Sequence, residues 1–170
     1  MVKPSASLKK GLSGWIAWIW KQEGSPGIRA RGIAAGVFCG FFPFFGFQTL
    51  LGIGLASLVK GNHLLAAAAT WISNPFTYIP LYWFNYSVGS SLLGPNTGLP
   101  DINQLNLLNV WEQGGDFISR LLLGSSVVGS CAALIFGVIS YGLFRIRQRQ
   151  KIANQGRLES DSNPPRFNPQ

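Results

Sequence analysis

Residues 36–49 read GVFCGFFPFFGFQT and residues 71–77 read WISNPFT, and these two stretches decide the fold. Each lies inside a long uncharged run, the first from Gly32 to Val59 and the second from Gly61 to Pro100. A membrane-spanning helix needs about 20 apolar residues, and a proline in its interior removes a hydrogen bond and clashes with the preceding turn. Because bare backbone is too costly in lipid, each break must be buried in protein or line a watery cavity. The sequence therefore predicts an all-α integral membrane protein with proline-broken, re-entrant helices.

Composition supports a membrane class. Hydrophobic residues make up 47% of the chain and charged residues only 12%, against roughly 25% charged in a typical soluble domain. The formal net charge is +8, and the basic residues cluster beside the apolar runs, at 9–31 and again at 145–151. This pattern is typical of cytoplasmic flanks attracted to anionic lipid headgroups. We therefore predict a lipid bilayer with anionic headgroups as a partner, and no nucleic acid.

The first broken run is too long for one straight crossing. A continuous helix over Gly32–Val59 would measure about 42 Å, whereas the hydrocarbon core is about 30 Å thick. Basic residues stand at both of its ends, at Arg29 and Arg31 and again at Lys60, which places both ends in the cytoplasm. The chain is therefore expected to enter, turn near Pro43 and return. The turn is either a re-entrant loop at mid-depth or a tight spanning hairpin.

The rest of the chain completes a topology with both termini in the cytoplasm. The second broken run is expected to cross outward through a kink at Asn74-Pro75. Residues 94–113 contain no Lys or Arg and are expected to form an exterior loop. Leu121–Phe144 is uncharged and long enough to span as a C-terminal transmembrane helix. In this topology every Lys and Arg except Arg120 faces the cytoplasm.

Small residues recur every four positions in two of the apolar segments. Residues spaced by four share one helix face, and small residues there let a second backbone approach closely. These stripes predict helix packing, within the chain or against a homo-oligomer or other membrane-protein partner. They consist of Gly32, Gly36 and Gly40 in the first segment, and Ser125, Gly129, Ala133 and Gly137 in the last.

The two breaks are also the candidate site. Half-helix ends present free N–H and C=O groups, which can hold a ligand at the membrane midplane. In the opposing interpretation the polar side chains only satisfy backbone groups freed by the prolines. The candidate ligand or permeation residues are Pro43, Gly46, Gln48 and Thr49 at the first break and Asn74, Pro75 and Thr77 at the second.

Several kinds of chemistry lack the residues they need. No Asp or Glu occurs between Glu23 and Asp101, which disfavours a carboxylate proton or sodium relay in the apolar core. One histidine and two separated cysteines, Cys39 and Cys131, do not make a usual metal ligand set. With no acid and base pair and no activated nucleophile, we predict no catalytic residues, no metal, no cofactor and no enzymatic activity.

The two opening motifs, in this order and separated by Lys60-Gly61-Asn62, resemble the DUF2062 family of bacterial membrane proteins. The resemblance covers roughly residues 20–145, and it implies a membrane protein of unknown function. It supplies no activity, cofactor or catalytic residue. It does imply the bacterial cytoplasmic (inner) membrane, or another energy-transducing internal membrane, as the location of a multi-pass protein.

The composition and the resemblance together divide the chain into three segments. Residues 1–24 are expected to be an interfacial tryptophan and lysine segment rather than a cleaved signal peptide. Residues 25–150 form the DUF2062-like membrane domain, and residues 151–170 are a basic and polar tail whose composition is typical of disorder.

Three functions are compatible with these features. The first is a small transporter, or channel-like or flippase-like protein, with its site at the two breaks. The second is a structural or assembly factor that packs against membrane partners through its glycine faces. The third is a lipid-surface protein that acts through the segment at Trp15–Trp20 and the basic flanks. We favour the first, because two proline-broken helices are costly features for an anchor.

Overall fold

The computed structural model describes residues 24–44, 46–94 and 107–162, with side chains of the last segment described from 114 to 158, and isolated residues before Gly24. The described residues are helical and contain no strand, which confirms the predicted all-α class. Most of the predicted segment 1–24, including Trp15, lies outside the described residues. The α-helices are α1 (Pro26–Gly40), α2 (Gln48–Leu58), α3 (His63–Ala69), α4 (Tyr78–Leu93) and α5 (Leu107–Ser162), and a 3-10 turn, Thr70–Ile72, follows α3.

Helix α1 is the centre of the arrangement, because it packs against α2, α3 and α5. Ser25 begins it by accepting a hydrogen bond from the amide of Ile28 at 3.4 Å, and Pro26 occupies the first turn, where its missing N–H costs nothing. Helix α4 packs against α5 on the other side of the molecule. Helix α5 therefore packs against one helix from each of the two broken runs.

The α2–α3 turn brings the chain back to the start of α1. Lys60 has a φ of 52°, and the amide of Asn62 donates to the carbonyl of Ile28 at 3.0 Å. The Asn62 side chain then begins α3 by accepting from the amide of Leu65 at 2.9 Å. Gly61 is required here, because a Cβ on it would lie 2.7 Å from the backbone nitrogen of Gly32.

The helices before α5 are short. Helix α1 has 15 residues and α4 has 16, which correspond to about 22 Å and 24 Å. Helix α2 has 11 residues and α3 has 7. All four are shorter than the roughly 30 Å of a hydrocarbon core. Among the described residues, one helix, within α5, is long and apolar enough to cross a membrane.

Helix α5 extends into two segments that were not expected to be helical, the exterior loop before it and the polar tail after it. It begins at Leu107, within the segment predicted as an exterior loop, and runs to Ser162, so that residues 151–162 of the expected tail are helical. Arg, Gln, Lys, Ala and Leu dominate residues 145–158, and all of them favour helix. Their polar composition indicates contact with water, which a single exposed helix has on every side.

The burial pattern is the reverse of that of a soluble domain. The packed centre consists of small side chains, Ala35, Ala56 and Ala66, while Gln48, Asn85 and Ser125 are buried beside it. Large apolar side chains are exposed on every helix from α2 to α5. The most exposed include Leu58, Phe76, Ile79, Trp83, Leu134 and Val138.

Candidate functional site

The first break joins α1 to α2 by a tight turn. Helix α1 ends at Gly40, and the amides of Phe47 and Gln48 both donate to the carbonyl of Phe44, at 3.0 and 3.1 Å. Gly46 has a φ of 83°, a conformation that side-chain-bearing residues rarely adopt. The turn therefore needs glycine at this position.

The second break is a closed turn after the 3-10 helix. The Asn74 Oδ1 atom accepts from the amides of Phe76 at 2.9 Å and Thr77 at 3.2 Å. The Thr77 hydroxyl accepts from the amide of Asn74 at 2.9 Å and lies 2.8 Å from the carbonyl of Ile72, to which it donates. These two side chains satisfy backbone groups around Pro75. This is the role expected if the polar residues at the breaks serve structure and not ligand binding.

Gln48 links the two breaks. Its side-chain nitrogen donates to the carbonyl of Phe42 at 2.6 Å and to the Tyr82 hydroxyl at 2.8 Å. Its side-chain oxygen accepts from the Ser73 hydroxyl at 3.0 Å. The residue is only 5% exposed, so these bonds lie in the interior. One amide therefore holds the first break, the second break and α4 together.

A second polar contact lies beside Gln48. The Thr49 and Thr70 hydroxyls are 3.1 Å apart, and the Thr70 hydroxyl also lies 2.7 Å from the carbonyl of Ala67. Thr70 is buried, whereas Thr49 is half-buried. Thr49 therefore places one hydroxyl between the packed centre and the space outside α2.

These side chains border a cavity of about 210 Å³ between the two breaks. Five of the seven residues proposed from the sequence line it, together with four residues that the proposal did not include. Pro43 and Thr77 belong to the same breaks but do not line this space. Its lining residues are Gly46, Gln48, Thr49, Asn74 and Pro75 from the proposal, with Thr70, Trp71, Ser73 and Tyr78.

An apolar groove of about 530 Å³ adjoins this cavity. Thr49 and Trp71 line both spaces, so they form the border between them. The groove is otherwise lined by Gly14, Trp18, Leu64 and two alanines of α3. A cavity that contains amide and hydroxyl groups and an apolar groove thus lie side by side.

Sequence reasoning missed Tyr82 and Asn85 as parts of this region. The Asn85 amide nitrogen donates to the carbonyl of Phe41 at 2.9 Å and to the Ser125 hydroxyl at 3.0 Å, and the residue is fully buried. Its Oδ1 is buried with no hydrogen-bond partner in the described part of the protein. The sequence spacing of Tyr82 and Asn85 is the signal that could have identified them. With Tyr78 and Gly89 they share one face of α4.

The first stripe of small residues packs inside this chain. A Cβ on Gly32 would overlap the backbone of Asn62, and one on Gly36 would overlap the carbonyl of Ala66. On Gly40 it would lie 2.7 Å from a methyl carbon of Ile72. The stripe therefore faces α3 and the turns at its two ends.

The second stripe lies on α5. A Cβ on Gly129 would lie 3.1 Å from that of Phe41, and one on Gly137 would lie 3.2 Å from that of Ala34. Ser125 bonds to Asn85, and Ala133 lies on the same face of the helix, half-buried. This stripe therefore packs along α1 and the beginning of the first break.

Two glycines outside the stripes allow the backbones of α4 and α5 to approach each other closely. A Cβ on Gly89 of α4 would overlap the carbonyl of Arg120, and a Cβ on Gly124 of α5 would overlap the carbonyl of Asn85. The Arg120 guanidinium is buried beside this crossing, where it bonds to Asp116 at 2.7 Å and to the carbonyl of Gly94 at 2.8 Å. The one basic residue expected outside the cytoplasm thus fastens the end of α4 to α5.

Within the described residues, no three side chains of His, Cys, Asp or Glu lie together as a metal site would require. The polar side-chain atoms around the breaks belong to amide and hydroxyl groups, which donate and accept hydrogen bonds. The chemistry of the cavity is therefore hydrogen bonding to a polar group.

Comparison with known proteins identifies a family and no activity. The model of DUF2062, described as an uncharacterized protein conserved in bacteria, matches residues 10–153. No curated protein and no solved structure matches the chain. The match includes both breaks and all five helices up to the exposed end of α5. The resemblance drawn from the two motifs is confirmed, and the chain belongs to the DUF2062 family.

Proposed function

We propose that this chain is a multi-pass protein of the bacterial cytoplasmic membrane, in which the two breaks bind the polar part of a transported amphiphile. One observation carries the proposal. Residues from two breaks more than 20 positions apart line one cavity that contains amide and hydroxyl groups, and this cavity borders an apolar groove. The activity is movement of a substrate, of a transporter or flippase-like kind, and it includes no chemical reaction.

The distribution of side chains supports insertion in lipid. Phe76 is 92% exposed and Trp83 is 70% exposed, while Gln48 and Asn85 are buried. Water would penalise so much uncovered aromatic and aliphatic surface, but lipid would not. Buried amides in a membrane bundle are typically hydrogen-bonded across helices, as these are.

The short helices support a re-entrant arrangement. Neither α1 nor α2 reaches the length of a bilayer core, and the turn between them is closed by local hydrogen bonds. Broken backbone at membrane depth is tolerated when it is buried or lines a cavity. With the basic residues 145–151 at one end of α5, the positive-inside rule favours cytoplasmic termini.

The size of the two spaces favours an amphiphile over a compact polar solute. The break cavity holds about seven waters at roughly 30 Å³ each, which is below the usual 300–1,000 Å³ of a small-molecule pocket. The groove of about 530 Å³ beside it is apolar. A headgroup-sized polar moiety in the cavity and a hydrocarbon chain in the groove would fill both.

A lipid-flipping assay tests the proposal. The purified full-length protein is reconstituted in liposomes with fluorescent phosphatidylglycerol, and a membrane-impermeant quencher measures how much of the inner-leaflet lipid becomes accessible. We expect the protein to accelerate accessibility, and Ala67→Trp, which fills the groove, to abolish the acceleration. Leu134→Trp, on the exposed face of α5, is the matched control and should keep it. Folded protein that gives the rate of empty liposomes would refute the proposal.

A second function, assembly with other membrane chains, is favoured by a separate observation. Ile79 and Trp83 are exposed four residues apart on α4, and Phe76 is exposed in the turn just before that helix. The glycine faces that the assembly hypothesis relied on pack within the chain, so this ridge would have to serve instead. Trp83→Cys should then form an intermolecular disulfide in membranes, while Leu134→Cys should not. Equal crosslinking at both positions would contradict a specific interface.

A further inference from the structure

A second pocket lies at the opposite end of α1 from the breaks. It has a volume of about 460 Å³ and lies between the start of α1 and the basic end of α5. Arg29 lines it from α1, and Arg147 and Lys151 line it from α5. None of the described residues that line it is acidic. Three cationic side chains therefore border one concave space with no carboxylate among them.

Arg29 is held in place by an aromatic ring. Its guanidinium carbon lies 5.3 Å from the centre of the Phe144 ring, which is 4% exposed. Stacking on an aromatic face fixes the plane of a guanidinium. Among the described residues, its Nε is buried with no hydrogen-bond partner, and its side chain makes no ion pair. A buried charged donor left unsatisfied is costly and indicates a missing acceptor.

The start of α1 adds to the positive potential. Pro26 has no N–H, and the amides of Ile28 and Arg29 bond to Ser25, at 3.4 and 3.2 Å. The helix end therefore contributes mainly its dipole rather than a cradle of free amides. Anions are favoured at such an end, and Arg prefers the planar, bidentate recognition of phosphate or carboxylate.

We propose that this pocket binds a phosphoryl group, and that the group is carried by the headgroup of an anionic phospholipid. Three cations suit the charge of a phosphate better than that of a single carboxylate. In the proposed topology the pocket lies at the cytoplasmic surface, where anionic headgroups are found. The binding site does not depend on transport through the breaks, so each proposal can fail without the other.

Helix geometry supplies a matched control. Arg147 and Lys151 are four residues apart and share the face that lines the pocket, while Arg145 and Arg149 lie on the other side of α5 and do not line it. The double variants Arg147→Gln/Lys151→Gln and Arg145→Gln/Arg149→Gln remove the same charge from the same exposed segment. A diffuse electrostatic attraction would respond equally to both.

The experiment measures lipid binding by native mass spectrometry of the purified full-length protein in detergent. We expect phosphatidylglycerol to bind about tenfold more weakly to the pocket variant, with little change for the control variant. Arg29→Gln should weaken binding as well. Phosphatidylcholine should bind poorly to every form.

Inorganic phosphate distinguishes the source of the phosphoryl group. Displacement of phosphatidylglycerol by millimolar phosphate supports a pocket that recognises the phosphoryl group alone, and retention of the lipid supports a headgroup site that also uses its surroundings. Equal loss in both double variants would overturn the pocket in favour of diffuse attraction. Absence of phosphatidylglycerol binding to the folded wild-type protein would overturn it too.

Discussion

Replacing Gln48 by leucine should destabilise the protein more than any other single change at the breaks. The substitution removes three hydrogen bonds, to Phe42 at 2.6 Å, to Tyr82 at 2.8 Å and from Ser73 at 3.0 Å. The Tyr82 and Ser73 hydroxyls keep one other acceptor each, at 3.2 Å, so neither is left without a partner. The loss is therefore close to the sum of three net hydrogen bonds.

The magnitude follows from the value of one bond. Interhelical hydrogen bonds in membrane proteins average about 0.6 kcal/mol, and buried bonds in general contribute about 1 kcal/mol. Three of them give about 2–3 kcal/mol, and the melting temperature of a protein of this size should fall by roughly 5–10 °C. Thermal unfolding of the purified protein in detergent measures the shift.

Two control variants should have smaller effects than Gln48→Leu. Thr49→Val removes one contact, that with Thr70, and should cost about a third as much as Gln48→Leu. Ser91→Ala removes an exposed bond to the carbonyl of Ser87 and should change little. A melting temperature for Gln48→Leu within 1–2 °C of that for Ser91→Ala, by roughly the same scale, would refute the reasoning.

Three further predictions concern helix packing. Gly36→Ala should destabilise the protein strongly, because its Cβ would overlap the carbonyl of Ala66. Gly54→Ala meets nothing within 4 Å and should stabilise the protein by about 0.5–1 kcal/mol. Thermal unfolding of the two variants compares them. Asn85→Ala should cost about 1–3 kcal/mol by the same assay, since two buried bonds are lost, and an unchanged melting temperature would contradict it. Arg120→Gln should release the end of α4, seen as faster amide hydrogen exchange at residues 91–94 with little change in α1.

The positions of the breaks follow from local chemistry, which is why the sequence predicts them. Proline at 43 and 75 excludes an uninterrupted helix, and Gly46 permits the positive φ that its turn adopts. The first apolar run ends at Val59 in the sequence, and α2 ends one residue earlier, at Leu58. These features depend on residues only a few positions apart.

The contacts between the breaks depend on residues far apart in the chain. Gln48 meets Tyr82 across 34 positions, and Asn85 meets Ser125 across 40. A stripe such as Gly32, Gly36 and Gly40 identifies a packing face but not its partner, which is α3. The length of α5 was missed for another reason, because polar composition predicts exposure to water rather than the absence of helix.

The proposed transport requires that water reaches the cavity between the two breaks at membrane depth. Single cysteines at Thr49 and Ser73, in a background lacking Cys39 and Cys131, test it with a membrane-impermeant thiol reagent on the protein in membranes. Ser57→Cys, at the exposed end of α2, is the positive control, and Leu134→Cys, on the apolar face of α5, is the negative one. We expect labelling at Thr49→Cys and Ser73→Cys but not at Leu134→Cys. Labelling of the positive control alone would mean that the breaks are dry, and transport through them would then be wrong.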